Sequence, residues 1–241
     1  MRKVLLTAAL VFAFASPGVL AWNAYLDGST MPSDPWWPWP EDPAPGELVL
    51  VDGETCIRMS APADEAAEYY LNPTQEITLG AARFRLESYS PSGAKDLLCV
   101  IANNLVEVTP DGDMIFSSPS VSITLVDGCF WVYDYTEGTG FVNLGLADNA
   151  FHTAYILVDG PQGTATVAWD GNIVYQGNPP SHDFDGWIEW GAGSWQVSAA
   201  VTADFDWVGY GGPEDMVPEP SNLATIAVGL SGLVAAIRRR R

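Results

Sequence analysis

The chain is 241 residues long, and its 30 Asp and Glu against 10 Lys and Arg give it a net charge of −20. Its hydrophobic content of 48% is enough for one full-sized core. Six of the ten basic residues sit at the two tips, leaving Arg58, Arg83, Arg85 and Lys95 in a body that carries every acidic residue; such a body repels a phosphate backbone and excludes nucleic acid as a partner.

At the N-terminus, Arg2 and Lys3 precede the apolar run 4–15, Ser16-Pro17-Gly18 interrupts it, and Val19 and Ala21 occupy the −3 and −1 positions of a cleavage site. That order reads residues 1–21 as a secretory signal peptide, passed to the secretion translocon and cut after Ala21. Export permits disulfides. The three cysteines, Cys56, Cys99 and Cys129, allow either one bond and one thiol or three buried thiols, and their spacing does not choose. With no Cys-x-x-Cys pair and only His152 and His182, a structural zinc site is not expected.

Residues 22–46 are rich in Pro and Trp (Pro35-Trp36-Trp37-Pro38-Trp39-Pro40). Proline lacks a ladder donor, so a loop or an extended edge segment is expected. The tryptophans form either an exposed patch or a flap folded over a core edge.

From 47 to 212 the pattern is of short strands separated by turns. Residues 47–51 and 55–59 flank Asp52-Gly53. Residues 61–71 read as a helical turn or a loop leading into Tyr69-Tyr70-Leu71. Residues 82–86 alternate, with Phe84 and Leu86 inward and Arg83 and Arg85 outward. Residues 96–102 are almost continuously apolar, as in a buried central strand. Strands at 106–108 and 114–116 flank Pro110-Asp111-Gly112-Asp113, and 121–126 and 129–135 flank Asp127-Gly128. Residues 153–158, 164–169 and 173–176 are joined by Asp159-Gly160 and Asp170-Gly171, strong hairpin signals because Asp-Gly tolerates positive φ. Segments 187–190 and 203–210 complete about a dozen strands at the spacing of sandwiches and barrels. The fold class is all-β: a two-sheet antiparallel β-sandwich, or jelly roll, flanked by an N-terminal signal helix and a C-terminal hydrophobic helix.

Residues 213–241 close the chain with a spacer, Val217-Pro218-Glu219-Pro220, the uncharged run 223–237, and Arg238, Arg239, Arg240 and Arg241. As a helix that run reaches roughly 22 Å, short of the ~30 Å hydrocarbon core, a mismatch that bilayer thinning and snorkelling arginines absorb. The arginines stay on the cytoplasmic side and leave the body outside.

This tail resembles the PEP-CTERM sorting signal of Gram-negative bacteria: a Val-Pro-Glu-Pro motif, a short apolar helix and a terminal basic cluster. The resemblance implies that exosortase recognises Pro218-Glu219-Pro220, and that the membrane holds the chain until the body passes to the cell surface or the exopolysaccharide matrix. A second resemblance covers about 60 residues of the body. Phe151-His-Thr-Ala-Tyr-Ile-Leu-Val-Asp, Thr-Val-Ala-Trp-Asp-Gly-Asn-Ile-Val, Trp-Ile-Glu-Trp-Gly and Ala-Asp-Phe-Asp-Trp-Val are similar to the second half of concanavalin A-like and laminin G-like jelly rolls. It implies adjacent strands at 151–159 and 164–174, a closing strand at 203–208, and a companion edge strand from Tyr25-Leu-Asp-Gly-Ser. It also implies one calcium ion, for which Asp111 and Asp113 are the candidate ligands, although ordinary turn chemistry explains both acids equally well.

Glucanases of this fold carry Glu-x-Asp-x-x-Glu on one strand, and no copy of that spacing occurs here. Asp204-Phe-Asp206 lacks the following Glu, and Asp183-Phe-Asp185 stands at the wrong distance from Glu189, so these acids read as turn and solvent-face residues. No Gly-x-Ser-x-Gly elbow, metalloprotease His pair or phosphate loop is present, and His152 reads as structural. Trp131, Tyr133 and Tyr135 share a strand face at period two and Trp187, Trp190 and Trp195 follow; both groups read as core or as a sugar platform, depending on which face points outward. The leading expectation is a non-catalytic, exported surface or matrix protein, adhesive in role. The second is a glycan-binding module on those aromatics. The third is a divergent glycoside hydrolase, which needs two cleft carboxylates ~5–9.5 Å apart.

Overall fold

The computed structural model describes residues 24–40, 44–72, 76–134, 139–183, 185–193 and 199–211. The signal segment with Ala21, the sorting motif Val217, Pro218, Glu219 and Pro220, the basic cluster Arg238, Arg239, Arg240 and Arg241, and Tyr135 and Trp195 all lie outside the described residues.

In chain order the strands are β1 (Ala24–Leu26), β2 (Trp37–Trp39), β3 (Glu47–Val51), β4 (Glu54–Ala61), β5 (Ala67–Leu71), β6 (Ile77–Tyr89), β7 (Ala94–Ile101), β8 (Leu105–Val108), β9 (Met114–Phe116), β10 (Ser118–Val126), β11 (Cys129–Tyr133), β12 (Gly140–Leu146), β13 (His152–Asp159), β14 (Thr164–Trp169), β15 (Asn172–Gly177), β16 (Ser181–His182), β17 (Ile188–Gly193) and β18 (Val201–Gly211). They form two eight-stranded antiparallel sheets and one two-stranded ribbon. The first sheet runs β15-β14-β13-β6-β18-β4-β3, with β1 on β18. The second runs β12-β11-β10-β7-β17-β5-β2, with β16 on β10. Both sheets take strands from both halves of the chain, so neither half can close a core by itself.

Alternation along each strand puts one set of side chains between the sheets. Phe84 and Leu86 of β6 point inward while Arg83 and Arg85 face out, and Ile57, Phe205, Val100, Ile123, Phe130 and Trp190 fill the same interior. Phe84 packs on Phe205 (5.6 Å), Phe130 (6.2 Å) and Trp169 (6.0 Å), while Trp190 stacks on Tyr69 at 5.2 Å. β7 is buried along its whole length between β10 and β17, as its apolar run requires.

Three of the Asp-Gly turns are tight two-residue hairpins. At 52–53, 127–128 and 170–171 both residues sit at positive φ, the primed geometry that matches strand twist. The Asp159-Gly160 turn differs: β13 ends at Asp159 and β14 begins at Thr164, with the positive φ at Gly163. Gly160 there is kept by close approach, since a Cβ would lie 2.9 Å from the Glu76 carbonyl oxygen.

The 61–71 segment also departs from expectation. Its second half is a strand, β5, because Ala67, Tyr69 and Leu71 alternate into the core. Residues 24–40 belong to the sandwich, with β1 adding to β18 and β2 adding to β5 as an edge strand. Of the three tryptophans there, Trp36 is buried against Trp190 while Trp37 and Trp39 are exposed. The three cysteines are free thiols; Cys56 and Cys99 are buried. Among the described residues no helix is long and apolar enough to cross a membrane.

Candidate functional site

The two outer faces are chemically opposite. On the first sheet, Arg58, Arg83 and Arg85 come together around two acids of β18. Arg58 Nε donates to Asp204 Oδ1 at 2.7 Å, Arg58 Nη2 to Asp204 Oδ2 at 3.0 Å, and Arg85 Nε to the same Oδ2 at 3.0 Å. Arg83 Nη1 donates to Asp206 Oδ2 and to Glu54 Oε2, and its guanidinium lies 4.4 Å from the centre of the Phe151 ring. Asp204 is therefore a fully buried counter-ion, which corrects its reading as a solvent-face acid. Its alternation on β18 aims it at the arginines of β4 and β6, so it serves the fold.

The second sheet's outer face gathers acids and aromatics. Core residues Tyr69, Val100, Ile123 and Trp190 point inward, so Glu68, Cys99, Ser122 and Glu189 point out. Glu68, Asp96 and Glu189 are 3%, 7% and 5% exposed, on the neighbouring strands β5, β7 and β17. Gly193 of β17 stands opposite Asp96, and a Cβ on it would collide with both Glu68 Oε2 and Glu189 Oε1, so those oxygens converge above its bare backbone. Neither of these two oxygens meets a hydrogen-bond donor, so the bond open to them is to each other, and it requires a proton.

Electrostatics follow from that crowding. Burial pushes the Glu189 carboxyl well above the usual range, with Glu68 and Asp96 adding repulsion, while Trp187 donates a hydrogen bond in opposition. Burial likewise raises Glu68. Asp96 is pushed up to about 6 by burial, against hydrogen bonds from Thr124 and Ser122. Thr124 Oγ1 donates to Asp96 Oδ1, and Ser122 Oγ lies 2.7 Å from Thr124 Oγ1. Lys95, whose Nζ donates to the Glu65 carbonyl, is the cation at the margin. Glu189 is thus a buried member of an acid cluster, which corrects its reading as a turn or solvent-face acid.

Aromatics flank the cluster. On β11, Phe130 and Val132 enter the core, so Trp131 and Tyr133 lie half-buried on the outer face, on the far side of β10. On edge strand β2, Trp37 and Trp39 are 59% and 41% exposed at alternate positions, paired in register with Tyr70 and Glu68. Trp190, by contrast, belongs to the core.

Other candidates fall elsewhere. Asp111 and Asp113 occupy the exposed tip of the β8–β9 ribbon, where Thr109 N donates to the Asp113 carbonyl (2.8 Å) and Asp113 N to Thr109 Oγ1 (3.0 Å), a backbone-closed turn. Among the described residues no group of three or more His, Cys, Asp or Glu is placed to hold a metal ion. His152 bridges Asp170 (2.8 Å) and Asp148 (3.1 Å) and stacks on Trp169, a structural pin between β13 and its neighbours. The sequence reading missed Glu68 and Asp96. Alternation with Tyr69 and Leu71 was a signal for Glu68's outward position, but nothing local shows that β5, β17 and β7 lie side by side.

No protein-family model and no curated protein matches the sequence. Among solved structures, the carbohydrate esterase vb_24B_21 from the Shiga toxin-encoding bacteriophage phi24B superposes with a TM-score of 0.50 at 12% identity, over 77% of this chain and 95% of that one. Lower scores come from alginate lyase AlgAT5 of polysaccharide lyase family 7 (0.48, 12% identity, 80% and 93% covered) and a Bacillus licheniformis beta-glucanase (0.43, 16% identity, 78% and 96% covered). At these identities the likeness is one of fold: the chain is a concanavalin A-like jelly roll.

Proposed function

We propose that this chain is an exported, non-catalytic surface module that adheres to polysaccharide across the outer face of its second sheet. The observation that carries the reading is the pair Trp37 and Trp39, exposed at alternate positions of an edge strand on the same face as Tyr70, Trp131 and Tyr133. Large aromatic faces held toward solvent by a rigid sheet cost the fold apolar burial and give a flat partner something to stack on. A sugar ring, apolar on its faces and hydroxylated at its edge, suits such a platform. Glu68 Oε2 and Glu189 Oε1 converge on one point above Gly193, within 2.1 and 2.4 Å of where a Cβ would sit, closer together than the ~5 Å spacing of a retaining glycosidase pair, which favours binding over hydrolysis.

Replacing both Trp37 and Trp39 with alanine is expected to weaken retention in gels cast with insoluble or soluble β-glucan by about thirtyfold, the loss of one interface hot spot. Because both rings are exposed, the unfolding midpoint should barely move. Equal retention of the double variant would overturn the platform.

Export and sorting enter the proposal from the sequence: the positive, apolar and cleavable start, and a tail that resembles an exosortase substrate. Changing Pro218, Glu219 and Pro220 together to alanine is expected to leave the chain in the membrane fraction of its host. Release at the normal rate would count against exosortase as the partner.

A further inference from the structure

Polysaccharides differ most in charge, and the charges on this face select among them. Arg58, Arg83 and Arg85 all lie on the opposite sheet, paired to Asp204, Asp206, Glu54 and Glu87. The second sheet's outer face carries Glu68, Asp96 and Glu189, and the cation at its margin, Lys95, is engaged by the Glu65 carbonyl. A polyuronate laid here would meet like charge from this face and from the acidic body as a whole.

Two oxygens of the cluster lack donors, although Trp187 donates to Glu189 and Thr124 to Asp96. Glu68 Oε2 and Glu189 Oε1, more than nine-tenths buried and aimed over Gly193, have no hydrogen-bond partner, and the fully buried Ser120 Oγ on the same face has none. Buried acceptors without donors are costly to leave unmade. Trp39 stands in register with Glu68 on the adjoining strand, so a sugar stacked on that ring sits one strand-width from the acids.

We propose, resting on the platform reading above, that the ligand is an amine-bearing polysaccharide, a glucosamine-type polymer, whose ammonium docks among Glu68, Glu189 and Asp96. The ammonium supplies three donors where the apo cluster holds one shared proton, and that proton leaves to solvent as the ion pair forms. The geometry matches the charge of the whole body: a strongly acidic module embedded in a polycationic matrix.

The test is titration calorimetry with three hexasaccharides: β-1,4-linked glucosamine, its fully N-acetylated form, and oligomannuronate. The amine form is expected to bind at least about tenfold more tightly than the N-acetylated form, and the preference to shrink as salt rises. Glu68→Gln and Glu189→Gln should each remove that preference while keeping Trp39-dependent binding of the N-acetylated oligomer. Both are isosteric, and an unchanged circular dichroism spectrum confirms folding. Equal binding of the two glucosamine forms, lost on Trp39→Ala, would overturn the amine inference and leave the platform standing. Tighter binding of oligomannuronate would overturn the inference as well. Binding of none of the three would overturn both.

Discussion

Asp204→Ala is expected to cost the fold about 3–5 kcal/mol, the loss seen when one partner of a buried ion pair is removed. For a chain of this size that is a fall of roughly ten degrees in the unfolding midpoint. The reason lies in the count of partners. One fully buried carboxylate accepts from two guanidiniums through three bonds of 2.7–3.0 Å, tying β18 to both of its neighbours, β4 and β6. Without it, Arg58 and Arg85 face each other with no central counter-charge. Both keep some route to solvent, and Glu87 still reaches each of them, so the lower half of the range is the better expectation. Urea unfolding measures the loss. Pairing the change with Arg58→Met and Arg85→Met should recover part of it, because the repulsion then disappears with the charges. A loss under about 1 kcal/mol would show that the network is surface ornament rather than a clasp.

Much of this fold could be read from residue order alone, and the reason is locality. Asp52-Gly53, Asp127-Gly128 and Asp170-Gly171 each favour the left-handed backbone that a two-residue hairpin needs, so those strand pairs were visible within a dozen residues. Phe84 and Leu86 against Arg83 and Arg85 declared which face of β6 was which. Other features depend on neighbours that sequence does not reveal. Trp131 and Tyr133 alternate with Phe130 and Val132, two sets equally apolar, and the choice between them fell only when β11 docked on β10. The acid cluster is the extreme case: Glu68, Asp96 and Glu189 come from distant stretches, and no motif on one strand announces them. A search for a single-strand spacing could not have found a constellation built across three. Asp204 misled for a related reason, since alternation beside Asp206 suggested a solvent-face acid while its partners, Arg58 and Arg85, lay more than a hundred residues away.

That cross-strand cluster sets the chain's response to pH, and the direction is the reverse of ordinary acid denaturation. Asp96, Glu68 and Glu189 are all raised by burial, so the folded chain holds protons that the unfolded chain releases. Below their unfolded values, near pH 4, both states are protonated and the acids cost nothing. As pH rises above that, the unfolded state ionises first and stability falls; for Asp96 the fall is complete once pH has passed about 6, and Glu189 carries it higher. A shift from 3.8 to about 6 makes the Asp96 share about 3 kcal/mol. Asp27 and Asp148 are lowered by hydrogen bonds and act in the opposite sense, but only below about pH 4, outside this window. The chain is therefore expected to unfold at a higher urea concentration at pH 5 than at pH 7.5. Asp96→Asn should raise the pH 7.5 value and flatten the slope, and Glu189→Gln should do the same by giving Glu68 an amide donor in place of the shared proton. Stability that instead rises from pH 5 to pH 7.5 would mean the three carboxyls stand ionised in the folded chain. The proton that joins Glu68 to Glu189 would then not be there.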